Sequence, residues 1–181
     1  MIVGHVGIAY GARALDRREE DARAPLLWLL AASVAPDMLD GLFALGRYCN
    51  PEGVFTHSLP AVAILATIFG VAAFLHTRSV TSALLVAALV MLHLPPDYLT
   101  GRKALWAGGP VAGLYIYRWG WLDFLAELPL VIGGWWMLRR ARFRPRWVVS
   151  GLALAALLAV QLAFDVPTEV VGPRAPRVCT R

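Results

Sequence analysis

Long apolar runs, separated by short polar or proline- and glycine-rich segments, make up most of this chain. The runs predict helices at residues 2–15, 26–35, 59–75, 80–94, 121–138 and 148–164. Several of these runs are long enough for one membrane span, whereas 26–35 is too short to cross a bilayer alone. We therefore predict an all-α, polytopic membrane helical bundle forming one domain over residues 1–165, followed by a flexible C-terminal tail at 166–181.

Glycine and proline refine this pattern at four places. Gly4, Gly7 and Gly11 lie on one face of the first helix and favour close packing against a neighbour. Pro36 is expected to stop or kink the second run, which would leave Asp37 in or just beyond the break. Ser58 is a good N-cap with Pro60 in the following turn, and Pro95 and Pro96 should disturb the helix after His93.

Composition agrees with a membrane protein, because 59% of the residues are hydrophobic and the mean hydropathy is +0.61. The net charge of +5 does not indicate a nucleic-acid partner, since the basic residues cluster between apolar runs, as the positive-inside rule explains. The arginine-rich loop at 139–146 is expected to face the cytoplasm. Counting spans back from that loop places residues 95–120 on the outer, non-cytoplasmic side of the membrane.

Ionisable side chains near the ends of apolar runs are the candidate functional residues. Each would be costly in a membrane without a compensating partner, and histidine with carboxylate suits zinc or a similar divalent ion. The predicted topology brings them all to the same membrane face, so we predict a metal centre there. Asp123 and Glu127, one turn apart, either join it or pair with Arg118 or Arg102. The main candidates are His5, Asp37, Asp40, His57, His93 and Asp97.

The order of these motifs resembles a known family. A histidine near the N-terminus is followed by Pro-Asp-x-x-Asp at 36–40, Thr-His-Ser at 56–58 and His-x-x-x-Asp at 93–97, then Thr-Gly. This pattern, over about residues 1–110, resembles the bacterial inner-membrane, metal-dependent hydrolase family typified by YdjM and described as LexA-regulated. The resemblance implies a hydrolase of the inner membrane.

The same order is similar to the zinc phospholipase C and single-strand nuclease superfamily, which implies a related helical core. That likeness implies that Asp37 or Asp40, with His57, His93 and Asp97, holds one zinc ion. It also implies that Asp97 bridges to a second ion held by His5, with the Met1 amine as a further ligand. Asp123 and Glu127 stand where those enzymes place His-x-x-x-Asp or His-x-x-x-Glu, and Lys103 replaces a histidine, so two or three ions are expected.

Such a donor set suggests hydrolysis of a phosphoester by metal-activated water, without a serine or cysteine nucleophile. Asp40 or Glu127 is the expected general base or orienting group, and Arg102 and Lys103 are expected to bind the phosphate. A site at headgroup level favours a membrane lipid or lipid-linked substrate as partner. The alternatives are a transporter or channel that passes protons or metal ions through the same cluster, and a scaffold that uses metal only to fold.

Overall fold

The computed structural model describes residues 2–16, 18, 24–142 and 144–171. Within them the chain forms seven α-helices and one short β-hairpin. The helices are α1 (Ile2–Leu15), α2 (Leu26–Leu45), α3 (Leu59–Thr77), α4 (Val80–Met91), α5 (Leu94–Thr100), α6 (Gly120–Arg140) and α7 (Gly151–Val171), and the strands are β1 (Lys103–Ala104) and β2 (Val111–Ala112).

The predicted all-α membrane class is confirmed. In the described part of the chain, four helical stretches are long and apolar enough to cross a membrane, namely α2, α3, α4 with α5, and α6, while the apolar part of α7, Gly151–Ala163, is shorter. Large apolar side chains such as Ile64, Ile68 and Leu84 remain exposed on these helices. An exposed apolar surface of this kind is what contact with lipid requires.

Of the two outcomes expected for Pro36, a stop or a kink, the stop is wrong, because α2 continues through Pro36 to Leu45. A proline inside a helix removes one backbone hydrogen bond, and packing can offset that loss. Here Ala35 and Pro36 are both buried in the bundle. The continuous α2 has 20 residues and becomes a candidate span, although residues 26–35 alone are too short.

Helix α1 packs along α6 in parallel orientation, and glycine makes the close contact. A methyl group added to Gly7 would overlap the backbone of Leu130, and one added to Gly134 would overlap the backbone of Gly7. The Gly7 contact confirms the predicted glycine packing face. Gly11 lies outside the tight region, since a Cβ there would meet only Sδ of Met137 at 3.8 Å.

The end of α1 is tied to the turn between α3 and α4. The Arg18 guanidinium donates to the hydroxyl oxygens of Ser79 and Ser82 at 3.3 and 3.2 Å and pairs with Asp16 at 2.7 Å. Burial tends to raise the pKa of Asp16, but the hydrogen bonds from Arg18 outweigh it and the pKa is lowered. These contacts place Arg18 and the α3–α4 turn at the same end of the bundle.

The connection from α5 to α6 is held against the opposite end of the bundle. Strands β1 and β2 pair antiparallel, with Lys103 opposite Ala112. The Leu59 N–H donates to the Leu105 carbonyl at 3.0 Å, and the Tyr98 hydroxyl lies 3.3 Å from the His57 carbonyl. The hairpin is thereby fixed beside the start of α3.

The last helix returns to that same end. Asp165 of α7 lies beside Asp123 at the start of α6, so these two helices run antiparallel. Helix α7 reaches Val171 and so extends into the segment expected to be a tail, while residues 172–181 lie outside the described residues.

Candidate metal centre

Four side chains from three separate parts of the chain meet at one point beside the β-hairpin. Asp37 lies within α2, His57 precedes the first turn of α3, His93 lies between α4 and α5, and Asp97 follows one turn later in α5. His57 Nε2 is 3.2 Å from Asp37 Oδ1 and 3.0 Å from Asp97 Oδ2. His93 Nε2 is 3.5 and 3.4 Å from the same two oxygens.

These spacings match the edges of a metal coordination polyhedron. Ligand atoms about 2.0–2.1 Å from a tetrahedral zinc ion lie roughly 3.3–3.4 Å from one another. The four nitrogen–oxygen distances between the imidazoles of His57 and His93 and the two carboxylates fall between 3.0 and 3.5 Å. The donor types are also those of divalent zinc sites. Asp37, His57, His93 and Asp97 can therefore hold a metal ion.

His5 joins the cluster from α1 through different carboxylate oxygens. Its Nε2 is 3.1 Å from Asp97 Oδ1 and 4.0 Å from Asp37 Oδ2. Its ring stacks on the His93 ring with centroids 3.7 Å apart. Asp97 thus directs Oδ2 to His57 and His93 and Oδ1 to His5.

Hydrogen bonds orient the imidazoles of His57 and His93. His93 Nδ1 lies 2.8 Å from the Ser33 carbonyl oxygen, so Nδ1–H donates and leaves Nε2 for a metal when the ring is neutral. His57 Nδ1 lies 2.7 Å from Thr56 Oγ1, which also accepts from Asn50 Nδ2 at 2.7 Å. Both rings thus direct Nε2 toward the carboxylates.

Asp40, the second acid of the Pro-Asp-x-x-Asp motif, lies outside this cluster. It accepts a hydrogen bond from Asn50 Nδ2 at 2.6 Å, and Asn50 in turn contacts Thr56. Asp40 is therefore connected to His57 by a chain of hydrogen bonds through Asn50 and Thr56. The sequence indicates only that Asn50 and Pro51 form a turn. It does not show that the Asn50 side chain links Asp40 to Thr56.

Burial supports the fit of a cation among these side chains. His5, His57, His93 and Asp97 are at most 3% exposed. Among the described residues, Asp37 Oδ2 and His93 Nε2 are buried atoms without a hydrogen-bond partner. Buried carboxylates in a membrane cost free energy unless opposite charge compensates them, and a divalent ion supplies that charge.

Asp123 and Glu127, which sequence reasoning assigned to the same centre, lie in a different group. They meet Asp165 of α7, with one carboxylate oxygen of each residue within 4.8 Å of the others. Glu127 also accepts a hydrogen bond from the Gly4 N–H at 2.7 Å, which links this group to the turn of α1 that carries His5. Asp165 was missed, and its only sequence signal is an acid at the end of an apolar run.

The two basic candidates differ in their relation to the cluster. Lys103 Nζ lies 3.7 Å from Asp97 Oδ2, so its cation borders the centre. Arg102, the residue before Lys103, is exposed to solvent. The Met1 amine lies outside the described residues.

Helical spans and a buried histidine–aspartate cluster define a multi-pass membrane protein with a site that can hold a metal ion. The chain belongs to the YdjM inner membrane protein family, whose model matches residues 1–166. That match places the protein in the inner membrane and extends well past the motifs at 1–110 that carry the resemblance. No curated protein and no solved structure shows significant similarity to the chain.

Proposed function

We propose that this protein is a membrane-bound, zinc-dependent hydrolase of phosphoesters whose site faces the periplasm. The observation that carries the proposal is the convergence of three imidazole nitrogens on two carboxylates at metal-ligand spacing. This convergence brings together α1, α2 and α5 with the residues that precede α3 and α5. A buried hydrogen-bonded pair, such as His93 with Asp97 alone, would not require side chains from so many separate segments.

One ion would be held by Asp37, His57, His93 and Asp97, and a second by His5 with the outer oxygens of the two carboxylates. Such ions supply charge that polarises a phosphoryl oxygen and activates water for attack. The relation to zinc phospholipases and single-strand nucleases is part of this proposal, because they use the same order of ligands. Two ions, rather than three, fit the separation of Asp123 and Glu127 from the main cluster.

The protein's own groups have defined tasks in this proposal. Lys103 is partly exposed beside Asp97 and is placed to bind a phosphate oxygen. Asp40 fixes His57 through Asn50 and Thr56. Glu127 fixes the turn of α1 that carries His5. Asp40 and Glu127 are thus positioning residues in this proposal rather than general bases.

The position of the histidine and aspartate side chains along the membrane-spanning direction favours hydrolysis over transport. A transport path needs polar groups distributed across the membrane, whereas these side chains meet at one level near the ends of α3, α4 and α6. Exposed Trp106, Trp119 and Trp121 surround the same end, as is typical of a membrane interface. A lipid or lipid-linked phosphoester could therefore meet the centre at headgroup level.

Metal analysis with a phosphodiester assay tests the proposal. We expect purified wild-type protein to contain zinc and to hydrolyse a phosphodiester, and His57→Ala and His93→Ala each to lose metal and at least about 100-fold in turnover, since each removes a direct ligand. His76→Ala is the matched control because His76 lies at the opposite end of α3. Wild-type protein without a divalent metal, or with metal but no turnover on any phosphoester, would contradict the proposal.

A further inference from the structure

A large apolar cavity lies between α1, α4 and α6, outside the metal centre. Its volume is about 660 Å³, within the range of ligand pockets. Residues of α1, α4 and α6 line it on three sides. Leu15, Leu92 and Met137 border it and are 65%, 50% and 37% exposed, so the cavity opens at the surface of the bundle.

The cavity begins at the level of the metal centre. On α1, Ile8 and Ala12 follow His5 at intervals of three and four residues, which places them on the same helix face. On α4, Leu89 lies four residues before His93. The lining on α1 therefore continues the helix face that carries His5, and the lining along α4 runs to Leu92, the residue before His93.

The opposite end of the cavity is polar. Asp16, Arg18 and Thr81 border it there, and Arg18 is bonded to the α3–α4 turn. The cavity thus runs along the axis of the helices, from the metal centre at one end to the Asp16–Arg18 ion pair at the other. Two of the three helices that line it, α4 and α6, belong to stretches long and apolar enough to cross a membrane.

We infer that this cavity holds one acyl chain of a phospholipid whose phosphate group lies at the metal centre. The inference rests on the proposed function and names its substrate class. An acyl chain fits because the lining is apolar, the opening faces the membrane, and the phosphate of a lipid lies at the headgroup level where the histidines meet. Lys103 at that end offers the cation that a phosphate requires.

Two glycines allow the cavity to be filled without disturbing the fold. A Cβ at Gly133 meets no atom within 4 Å, and Gly133 lines the cavity, so Gly133→Leu should place its side chain inside. Gly11→Leu is a second variant, because its Cβ would contact only Met137 Sδ. Gly151→Leu is the matched control, since Gly151 also has open space around it but lies outside the cavity.

The test uses the full-length protein in nanodiscs of phosphatidylethanolamine and phosphatidylglycerol, with a phospholipid that carries a photoreactive diazirine in its acyl chain. We expect crosslinks to concentrate on the cavity residues Leu85, Leu89 and Met137. Gly133→Leu and Gly11→Leu should lower that labelling about tenfold, because each new side chain takes up cavity volume that the acyl chain would occupy, and Gly151→Leu should not. Labelling that spreads evenly to Ile64 and Ile68 and is unchanged in the filled variants would overturn the inference.

An activity measurement separates this inference from the proposed function. If both hold, Gly133→Leu slows cleavage of a long-chain phospholipid but not of a small water-soluble phosphodiester. Equal slowing of both would overturn the assignment of the acyl chain. Absence of turnover in wild-type protein would reject the hydrolase, while the labelling still decides what occupies the cavity. Chemically crosslinked dimers that disappear in Gly133→Leu would identify a second copy as the occupant and overturn the inference.

Discussion

The hydrogen bond between Thr56 and His57 gives a prediction at the scale of single residues. Thr56→Val keeps the shape of the side chain but removes the oxygen that lies 2.7 Å from His57 Nδ1. Loss of such an orienting partner typically costs 10–100-fold in metal affinity. We expect a zinc affinity reduced by about that factor, measured by competition with a chromophoric chelator.

Thr67→Val is the control for this measurement. The Thr67 hydroxyl donates only to the Ala63 carbonyl within its own helix, on an exposed face of α3. It should leave zinc affinity unchanged. Equal affinities for Thr56→Val and wild-type protein would show that His57 needs no orientation from Thr56, or that His57 does not bind the metal.

Individual site residues were predictable to the extent that their chemistry is unusual for a membrane segment. Histidine and aspartate at the ends of apolar runs need compensation, and this reasoning selected His5, His57 and His93. The choice between Asp37 and Asp40 depends on how far α2 continues past Pro36, which the residue types do not determine. Asn50 was missed because its bonds to Asp40 and Thr56 depend on how the connection between α2 and α3 folds, and Asp165 because its partners lie on another helix, α6.

Close packing of α1 on α6 gives a prediction at the scale of helices. Gly7→Ala and Gly134→Ala each place a methyl group into a neighbouring backbone, so we expect a lower unfolding temperature and a loss of about 1–3 kcal/mol. Gly11→Ala should be neutral or slightly stabilising, because its Cβ has space and alanine favours a helix. Thermal unfolding of the three variants in one detergent measures this. Equal destabilisation by all three would argue against the close contact.

Helix boundaries show why local signals succeed at some ends and fail at others. Ser58 caps α3 as predicted, since its hydroxyl accepts from the Ala61 N–H at 3.3 Å within four residues of sequence. Helix α4 ends at Met91, earlier than the predicted Leu94, and α5 begins at Leu94 with Pro95 and Pro96 in its first turn. Proline is tolerated there because the first turn needs no intrahelical N–H donors. His93, at the joint between α4 and α5, keeps helical dihedral angles (φ −62°, ψ −35°), so His93 and Asp97, four residues apart, still reach one centre.

Charge and ligand distribution along the whole molecule give its expected orientation. Arg18, Arg78 and Arg140 lie at the end of the bundle away from the metal centre, followed in sequence by the arginines at 142–146. Positively charged loops remain in the cytoplasm, so the metal centre should face the periplasm. Two exposed tryptophans mark the two ends, with Trp106 beside the centre and Trp147 beside the arginines.

Single cysteines at these tryptophans test the orientation in a background carrying Cys49→Ser and Cys179→Ser. A membrane-impermeant maleimide applied to intact spheroplasts should label Trp106→Cys, and it should label Trp147→Cys only after the membrane is permeabilised. The reverse pattern would place the centre in the cytoplasm and remove periplasmic lipids from the possible substrates. Equal labelling of both positions before permeabilisation would mean that the two ends do not lie on opposite sides of the membrane.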